Sequence, residues 1–367
     1  MGARPNFMKI APLYKELEKP SNKYTPQIIH TGQHYDEKMS KLFFTDLGMP
    51  QPHAYLQVGS GTHGQQTARI IERYEEHILA GNKPDLVIVA GDVNSTIACA
   101  LVAKKLHIPV AHLEAGLRSF DEAMPEEINR VLTDRISDLL LTPSPDGNEH
   151  LLKEGVPPTK IHFVGNIMID SLVDHVSKAR ASTIKHELHI KENEEYILIT
   201  LHRPSNVDEP EGLKMLLSAF AELSKKTKLI FPMHPRTRKN LQKMGLDAML
   251  DNMPGLIITE PIGYLDFLKL QMDAKLVLTD SGGIQEETTY LGIPCLTLRE
   301  NTERPITITE GTNQLVALDK DAIIKATTDI LDGEKKQGRI PKYWDGHTAE
   351  RVVQVLDKCF LNRTLIT

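Results

Sequence analysis

Short, largely apolar strand-like runs punctuate this chain, at residues 27–31, 84–90, 109–112, 139–142, 196–200, 229–232, 256–259, 275–278 and 294–298. Runs that are apolar throughout, rather than alternating, read as strands buried on both faces of a parallel sheet. Several end in turn residues: Gly91-Asp92, His202-Arg203 and Asp280-Ser281-Gly282-Gly283. Between them lie stretches of helical character, at 7–18, 63–77, 94–106 and from 284 onward. Strand, helix and strand alternating over short connections predict βαβ units.

The pattern occurs twice. The first set of runs closes near His162-Phe163-Val164-Gly165-Asn166, and the polar stretch 178–195 reads as the crossover into a second set. The prediction is an α/β, GT-B-like fold: two Rossmann-like domains, residues 1–167 and 168–347, with parallel sheets facing across a cleft. A last helix, 348–361, carries Val352, Val353, Val355, Leu356 and Phe360 at helical spacing and is expected to pack back on the first domain. A chain of 367 residues is also too long for one typical core. Ligands in such folds sit at the carboxyl ends of the strands. One feature is irregular. Gly2 followed by Arg4 and Lys9 resembles a phosphate-binding turn entering a helix. Such a turn normally follows a central strand, so a strand upstream of Gly2 is expected.

Composition narrows the function. The chain is 40% hydrophobic and 25% charged, with a formal net charge of -6. That excludes a nucleic-acid footprint, and an acidic protein that binds a diphosphate must concentrate its cations locally. Cys99, Cys295 and Cys359 have no metal-ligand spacing and read as reduced thiols of a cytoplasmic protein. No apolar run is long enough to span a bilayer and no signal peptide is evident. No metal and no membrane insertion are expected.

The stretch 275–287 carries the clearest chemistry. A buried strand ends in Asp280-Ser281-Gly282-Gly283 and a helix follows. Glycines let backbone approach a ligand, Ser281 is placed as an N-cap, and a helix N-terminus after such a turn is an anion site. Glu287, one turn on, is suited to sugar or ribose hydroxyls. An ordinary strand–turn–helix junction would need neither the serine nor the glutamate, so the set predicts a phosphate-plus-sugar ligand.

Three acids fall at strand ends or a helix start in the first half: Asp92, Glu114 and Glu126. Each has a plain structural alternative, Asp92 as a helix cap and Glu126 as a partner of the helix dipole. Together on one face they predict general acid/base chemistry. His202 and Arg203 follow a strand in the second half, where the histidine suits phosphate contact or proton transfer. Arg4, Lys9, Arg203 and Arg304 are the candidate cations. A surface ion pair is the alternative for each, but Arg304 follows a strand end, where a pyrophosphate clamp makes more sense.

The ordered set Gly2-Ala3-Arg4-Pro5 with Lys9, Gly91-Asp92, His112-Leu113-Glu114-Ala115-Gly116-Leu117-Arg118, Pro125-Glu126-Glu127-Ile128-Asn129-Arg130, His202-Arg203, Ser281-Gly282-Gly283 with Glu287, and Glu303-Arg304-Pro305 resembles the non-hydrolysing UDP-N-acetylglucosamine 2-epimerases. The resemblance runs from Gly2 to about Arg304. It implies a homodimer without metal or nicotinamide that inverts C2 of UDP-GlcNAc to give UDP-ManNAc, a precursor for surface polysaccharide. It implies removal of the C2 proton, departure of UDP to leave 2-acetamidoglucal, and re-addition with protonation on the other face. By motif, Asp92, Glu114, Glu126 and His202 resemble the catalytic set. Arg4, Lys9, Ser281, Gly282, Gly283, Glu287 and Arg304 resemble substrate contacts, with Phe267 a wall of the uracil pocket. Some members bind a second UDP-GlcNAc as activator; the matching positions are Gln33, Asp36, Arg69, Arg203 and His234. Asp36 replaces a glutamine of that set and Ile262 stands where many members have a glutamine near the base.

Three other readings share features with this one. A related UDP-2,3-diacetamido sugar epimerase would keep every motif. A GT-B glycosyltransferase would share the donor site but has no need of the three acids. A non-catalytic sugar-nucleotide sensor would not need them either.

Overall fold

The computed structural model describes residues 1–2, 4–21, 23–32 and 48–361, with the side chains of 4, 5, 204, 205, 360 and 361 outside the description. The chain divides into two compact units, Met1–Ser171 with Lys342–Thr367, and Leu172–Pro341. The division falls inside the helix Ile167–Arg180, earlier than the polar stretch 178–195 that the sequence suggests as the crossover. Each unit is α/β with parallel sheets.

In the first unit the strands are β1 (Ile29–His30), β2 (Ala54–Tyr55), β3 (Val87–Ala90), β4 (Val110–Leu113), β5 (Leu139–Thr142) and β6 (Ile161–Phe163). β3 to β6 form a four-stranded parallel sheet in chain order, while β1 and β2 pair separately. β4 and β5 are buried at every position, which explains their unbroken apolar character. The predicted strand at 27–31 shrinks to Ile29–His30. Beside it, the Met1 terminal nitrogen donates to Ile29 O at 2.8 Å and Thr31 N donates to Met1 O at 2.9 Å. These two bonds straddle His30, as one step of a parallel ladder does. A cavity of about 1180 Å3 is lined by Met1 together with Leu13, Ile28, Tyr74, Val87, Val89 and Ile108 among others.

The helix Thr348–Leu361 belongs to this unit. Ala349, Val352, Val353 and Leu356 share a core with Leu13 and Leu17 of the helix Arg4–Leu17 and with Leu113 and Leu141 of the sheet. Asp170 caps the returning helix, accepting Thr348 N at 3.1 Å and Ala349 N at 2.7 Å.

The second unit holds β7 (Tyr196–Thr200), β8 (Lys228–Pro232), β9 (Leu256–Thr259), β10 (Leu276–Thr279), β11 (Cys295–Leu298) and β12 (Asn313–Val316). Their order is β12-β11-β10-β7-β8-β9, all parallel. The chain runs outward from β7 to β9, then restarts at β10 on the other side. The boundary between β7 and β10 is therefore a topological switch point, where adjoining connections leave in opposite directions and open a crevice. β12 is absent from the sequence pattern because it starts with two amides. Asn313 is nonetheless buried, accepting from Thr297 Oγ1 at 2.7 Å and donating to Gln285 Oε1 and Thr307 Oγ1 at 3.1 Å each.

Candidate functional site

In the second unit the switch point is lined by the segments leaving β7 and β10. The Asp280 carboxylate is fully buried and ties them together. It accepts from His202 N at 3.0 Å, Arg203 N at 2.9 Å and Asn206 Nδ2 at 3.1 Å. His202 Nδ1 lies 3.0 Å from Asp280 Oδ1, while the ring is half exposed. Burial pushes the Asp280 carboxyl up, but the His202 side chain and the two amides outweigh it and hold it below the usual carboxylate range.

The helix Gly282–Leu291 starts immediately after Ser281. Ser281 occupies the N-cap position, but its hydroxyl makes no capping bond; Ser281 N instead donates to Thr279 Oγ1 at 3.0 Å. The amides of the first turn are thus not consumed by their own cap, as an anion site requires. Gly282 lets the Arg304–Glu303 pair close on the turn: a Cβ there would stand 2.6 Å from Arg304 Nη1 and 2.8 Å from Glu303 Oε1 and would push their side-chain ends away. Arg304 lies against this turn, paired with Glu303 Oε1 at 2.6 Å and with Glu286 Oε1 at 2.8 Å. Arg203 and Arg299 also reach Glu303, at 3.3 and 2.9 Å. Three guanidinium groups and two carboxylates leave a net positive cluster at a helix N-terminus, suited to phosphate.

One turn further, Tyr264 Oη donates to Glu287 Oε1 at 3.0 Å. Burial, with Glu286 alongside, pushes the Glu287 carboxyl up from 4.5 to about 7 against the hydrogen bonds of Tyr264 and Gln271. Near neutrality it can accept from a diol or remain neutral. Phe267 lies on the helix Tyr264–Asp273 and packs, partly buried, against Leu270, Ile230 and Tyr196.

In the first unit the acids gather at the ends of β3 and β4 and at the start of the helix Pro125–Ile136. Glu114 has a left-handed backbone, φ 71°, and pairs with Lys9; both side chains are buried. Gly91, at φ 67°, leaves room for that pair, since a Cβ there would stand 2.8 Å from Lys9 Nζ. Asp92 Oδ2 accepts from Arg130, whose Nη1 reaches Glu127. Asp92 is not a helix cap; Val93 precedes the helix Asn94–Lys105. Glu126 sits partly exposed in the first turn after Pro125, and its side chain takes no hydrogen bond or ion pair among the described residues. Glu127 is different: it accepts Ser119 N at 2.9 Å, Ser119 Oγ at 2.7 Å and Phe120 N at 3.0 Å. It fastens the loop before the helix, so the two adjacent glutamates have separate roles.

Arg4 opens its helix, with its side chain outside the described residues; Gln33 and Asp36 lie outside them altogether. Arg69 Nη1 donates to Val58 O at 3.0 Å and Ser60 O at 3.2 Å in the first unit. His234, in the second, caps the helix Pro235–Met244 by accepting Arg236 N. Sequence reasoning gives no role to Arg130, Asn129, Asp280, Tyr264, Glu286 or Glu303, although Arg130, Asn129, Asp280 and Glu303 fall inside stretches it singles out. Only the Glu127/Arg130 spacing, three apart on one helix face, carried a sequence signal. The described residues contain no group of three or more His, Cys, Asp or Glu placed to hold a metal ion, and no helix among them is long and apolar enough to cross a membrane.

Residues 15–357 match the model of the UDP-N-acetylglucosamine 2-epimerase family. The UDP-N-acetylglucosamine 2-epimerase of Methanocaldococcus jannaschii is 44% identical over 360 residues, 97% of each chain. A crystal structure of that enzyme with UDP-GlcNAc and UDP aligns with a TM-score of 0.88 over 97% of each chain. The UDP-2,3-diacetamido-2,3-dideoxy-D-glucuronate 2-epimerase of Pseudomonas aeruginosa is 39% identical over 361 residues, 98% of each chain.

Proposed function

The chain belongs to the UDP-N-acetylglucosamine 2-epimerase family, and from that premise we propose how its two sets of residues divide the work. The protein is an isomerase with a GT-B-like α/β fold that epimerises UDP-GlcNAc at C2. The observation that carries the division is the cluster of Arg203, Arg299 and Arg304 against the Gly282 turn. It takes the diphosphate, Glu287 takes the ribose diol, and Phe267 walls the base.

The C2 hydrogen has no carbonyl beside it and is weakly acidic, so the barrier falls mainly through stabilisation of the leaving UDP. Guanidinium groups and helix amides aimed at the diphosphate supply that. One carboxylate of Asp92, Glu114 and Glu126 takes the C2 proton as the C1–O bond breaks, giving 2-acetamidoglucal and UDP. UDP then re-adds at C1 while another acid returns a proton to the opposite face of C2. His202, braced by Asp280, serves the diphosphate oxygens or passes a proton there. Lys9 holds Glu114 in place, and Arg4 adds a cation to the same half.

UDP-ManNAc so formed serves surface polysaccharide synthesis in the cytoplasm, and the enzyme acts as a homodimer, which sedimentation tests. A second reading, a diacetamido uronate substrate, is favoured by the Pseudomonas relative. Proton NMR of the anomeric region with UDP-GlcNAc and with the diacetamido uronate distinguishes them: turnover of the second substrate alone overturns the first reading.

A further inference from the structure

We propose that the buried pair His112–Asp134 is the positioning device that fixes the spacing of all three acids. The proposal rests on the reading of Asp92, Glu114 and Glu126 as the acid/base set and adds two residues that touch none of the reacting atoms.

His112 lies on β4 and is wholly buried. Its Nε2 meets the Gly91 carbonyl at 2.8 Å and its Nδ1 meets Asp134 Oδ1 at 2.6 Å. A carbonyl can only accept. The Asp134 carboxylate is ionised: burial pushes its carboxyl up, but His112 and Arg118 outweigh that and hold it below the usual range. The other oxygen, Asp134 Oδ2, accepts Gly116 N at 3.1 Å and Arg118 Nη1 at 2.7 Å.

Each of these bonds lands on an acid-bearing element. Gly91 is left-handed and immediately precedes Asp92. Gly116, at φ 81°, closes the Glu114-Ala115-Gly116 turn, whose first residue is itself left-handed. Gly116 also packs so tightly that a Cβ would stand 2.4 Å from Gly147 O. Asp134 belongs to the helix Pro125–Ile136 that carries Glu126 in its first turn. One imidazole and one carboxylate thus join the end of β3, the turn after β4 and that helix. Left-handed turns are poorly determined by their own backbone, and outside bonds decide their orientation. Arg118 extends the network outward to Glu154, with two bonds of 2.7 Å, and this outer half touches no acid-bearing turn.

The test compares Asp134→Asn and His112→Leu with the outer control Glu154→Gln and with the double variant His112→Leu/Asp134→Leu, all in the full chain. Misplacing reacting groups by about 1 Å costs about 10²-fold in rate. The expected result is a fall in kcat of that order in both single variants, with KM and UDP affinity within about threefold of the parent. Glu154→Gln should lower Tm yet keep kcat. The double variant should regain part of the lost Tm, since no charge remains unpaired, while kcat stays low. In the parent, the Gly116 amide, held by Asp134, should exchange slowly with solvent, a readout independent of whether the variants fold. Turnover that follows Tm across the series overturns the proposal, as does a Gly116 amide that exchanges freely. If Asp92→Asn, Glu114→Gln and Glu126→Gln all retain full activity, it is the acid/base assignment that fails.

Discussion

Lys9 donates its ammonium to the Glu114 carboxylate with both side chains almost wholly out of water. Removing one member of such a pair leaves a buried charge without its partner, at about 3–5 kcal/mol. Lys9→Met should therefore lower unfolding free energy by about that amount, and Lys9→Met/Glu114→Gln should recover most of it. Urea melts of the three proteins check this. Equal stability of single and double variants would show that the pair contributes nothing through its charge.

Substrate turned over in D2O should carry deuterium at C2. Asp92→Asn, Glu114→Gln and Glu126→Gln should each slow turnover by about 10²–10⁴-fold, with UDP affinity by calorimetry unchanged. Product without solvent deuterium would rule out elimination and re-addition.

Arg304→Ala should act on the other half of the reaction. A charge-assisted bond to phosphate is worth about 1.5–3 kcal/mol, so UDP should bind roughly 10- to 150-fold more weakly. Unaltered UDP affinity would place Arg304 in the ion-pair cluster alone.

Glu287 gives the second unit a pH signature. Its carboxyl is raised from 4.5 to about 7 when folded, so the folded chain binds that proton more tightly than the unfolded one. The resulting stability is fully present below pH 4.5 and is lost as pH rises through about 7. Relative to Glu287→Gln, the parent should lose up to about 3 kcal/mol between pH 4.5 and 8. Denaturant midpoints at pH 5 and pH 8 measure it, and a difference of the opposite sign would mean that Glu287 is ionised at both.

Strands buried on both faces are the most legible part of the sequence. Tyr196–Thr200 and Leu139–Thr142 are read to the residue because nothing polar interrupts them, and so is the half-buried edge strand Leu256–Thr259. The Gly282–Gly283 turn is legible for a similar reason: few other sequences turn so sharply into a helix. Polar residues that gain their meaning from burial are not legible. Asp280 reads as the end of a strand, and its four donors come from His202, Arg203 and Asn206, residues far off in sequence. The same holds for Asp134, which looks like an ordinary surface aspartate near the end of a helix, and for Asn313, whose partners on three segments convert an amide pair into the edge strand β12.

The helix Thr348–Leu361, capped by Asp170 and packed on Leu13 and Leu113, sets an order of assembly during synthesis. The strands β1 to β6 leave the ribosome before β7 to β12, but part of their core is encoded after residues 172–341. Residues 172–341 emerge complete in between and can fold while the earlier unit waits with its Leu13 and Leu17 surface uncovered. A chain truncated just before Thr348 and released should therefore show a protease-resistant second unit together with a first unit that is still cut.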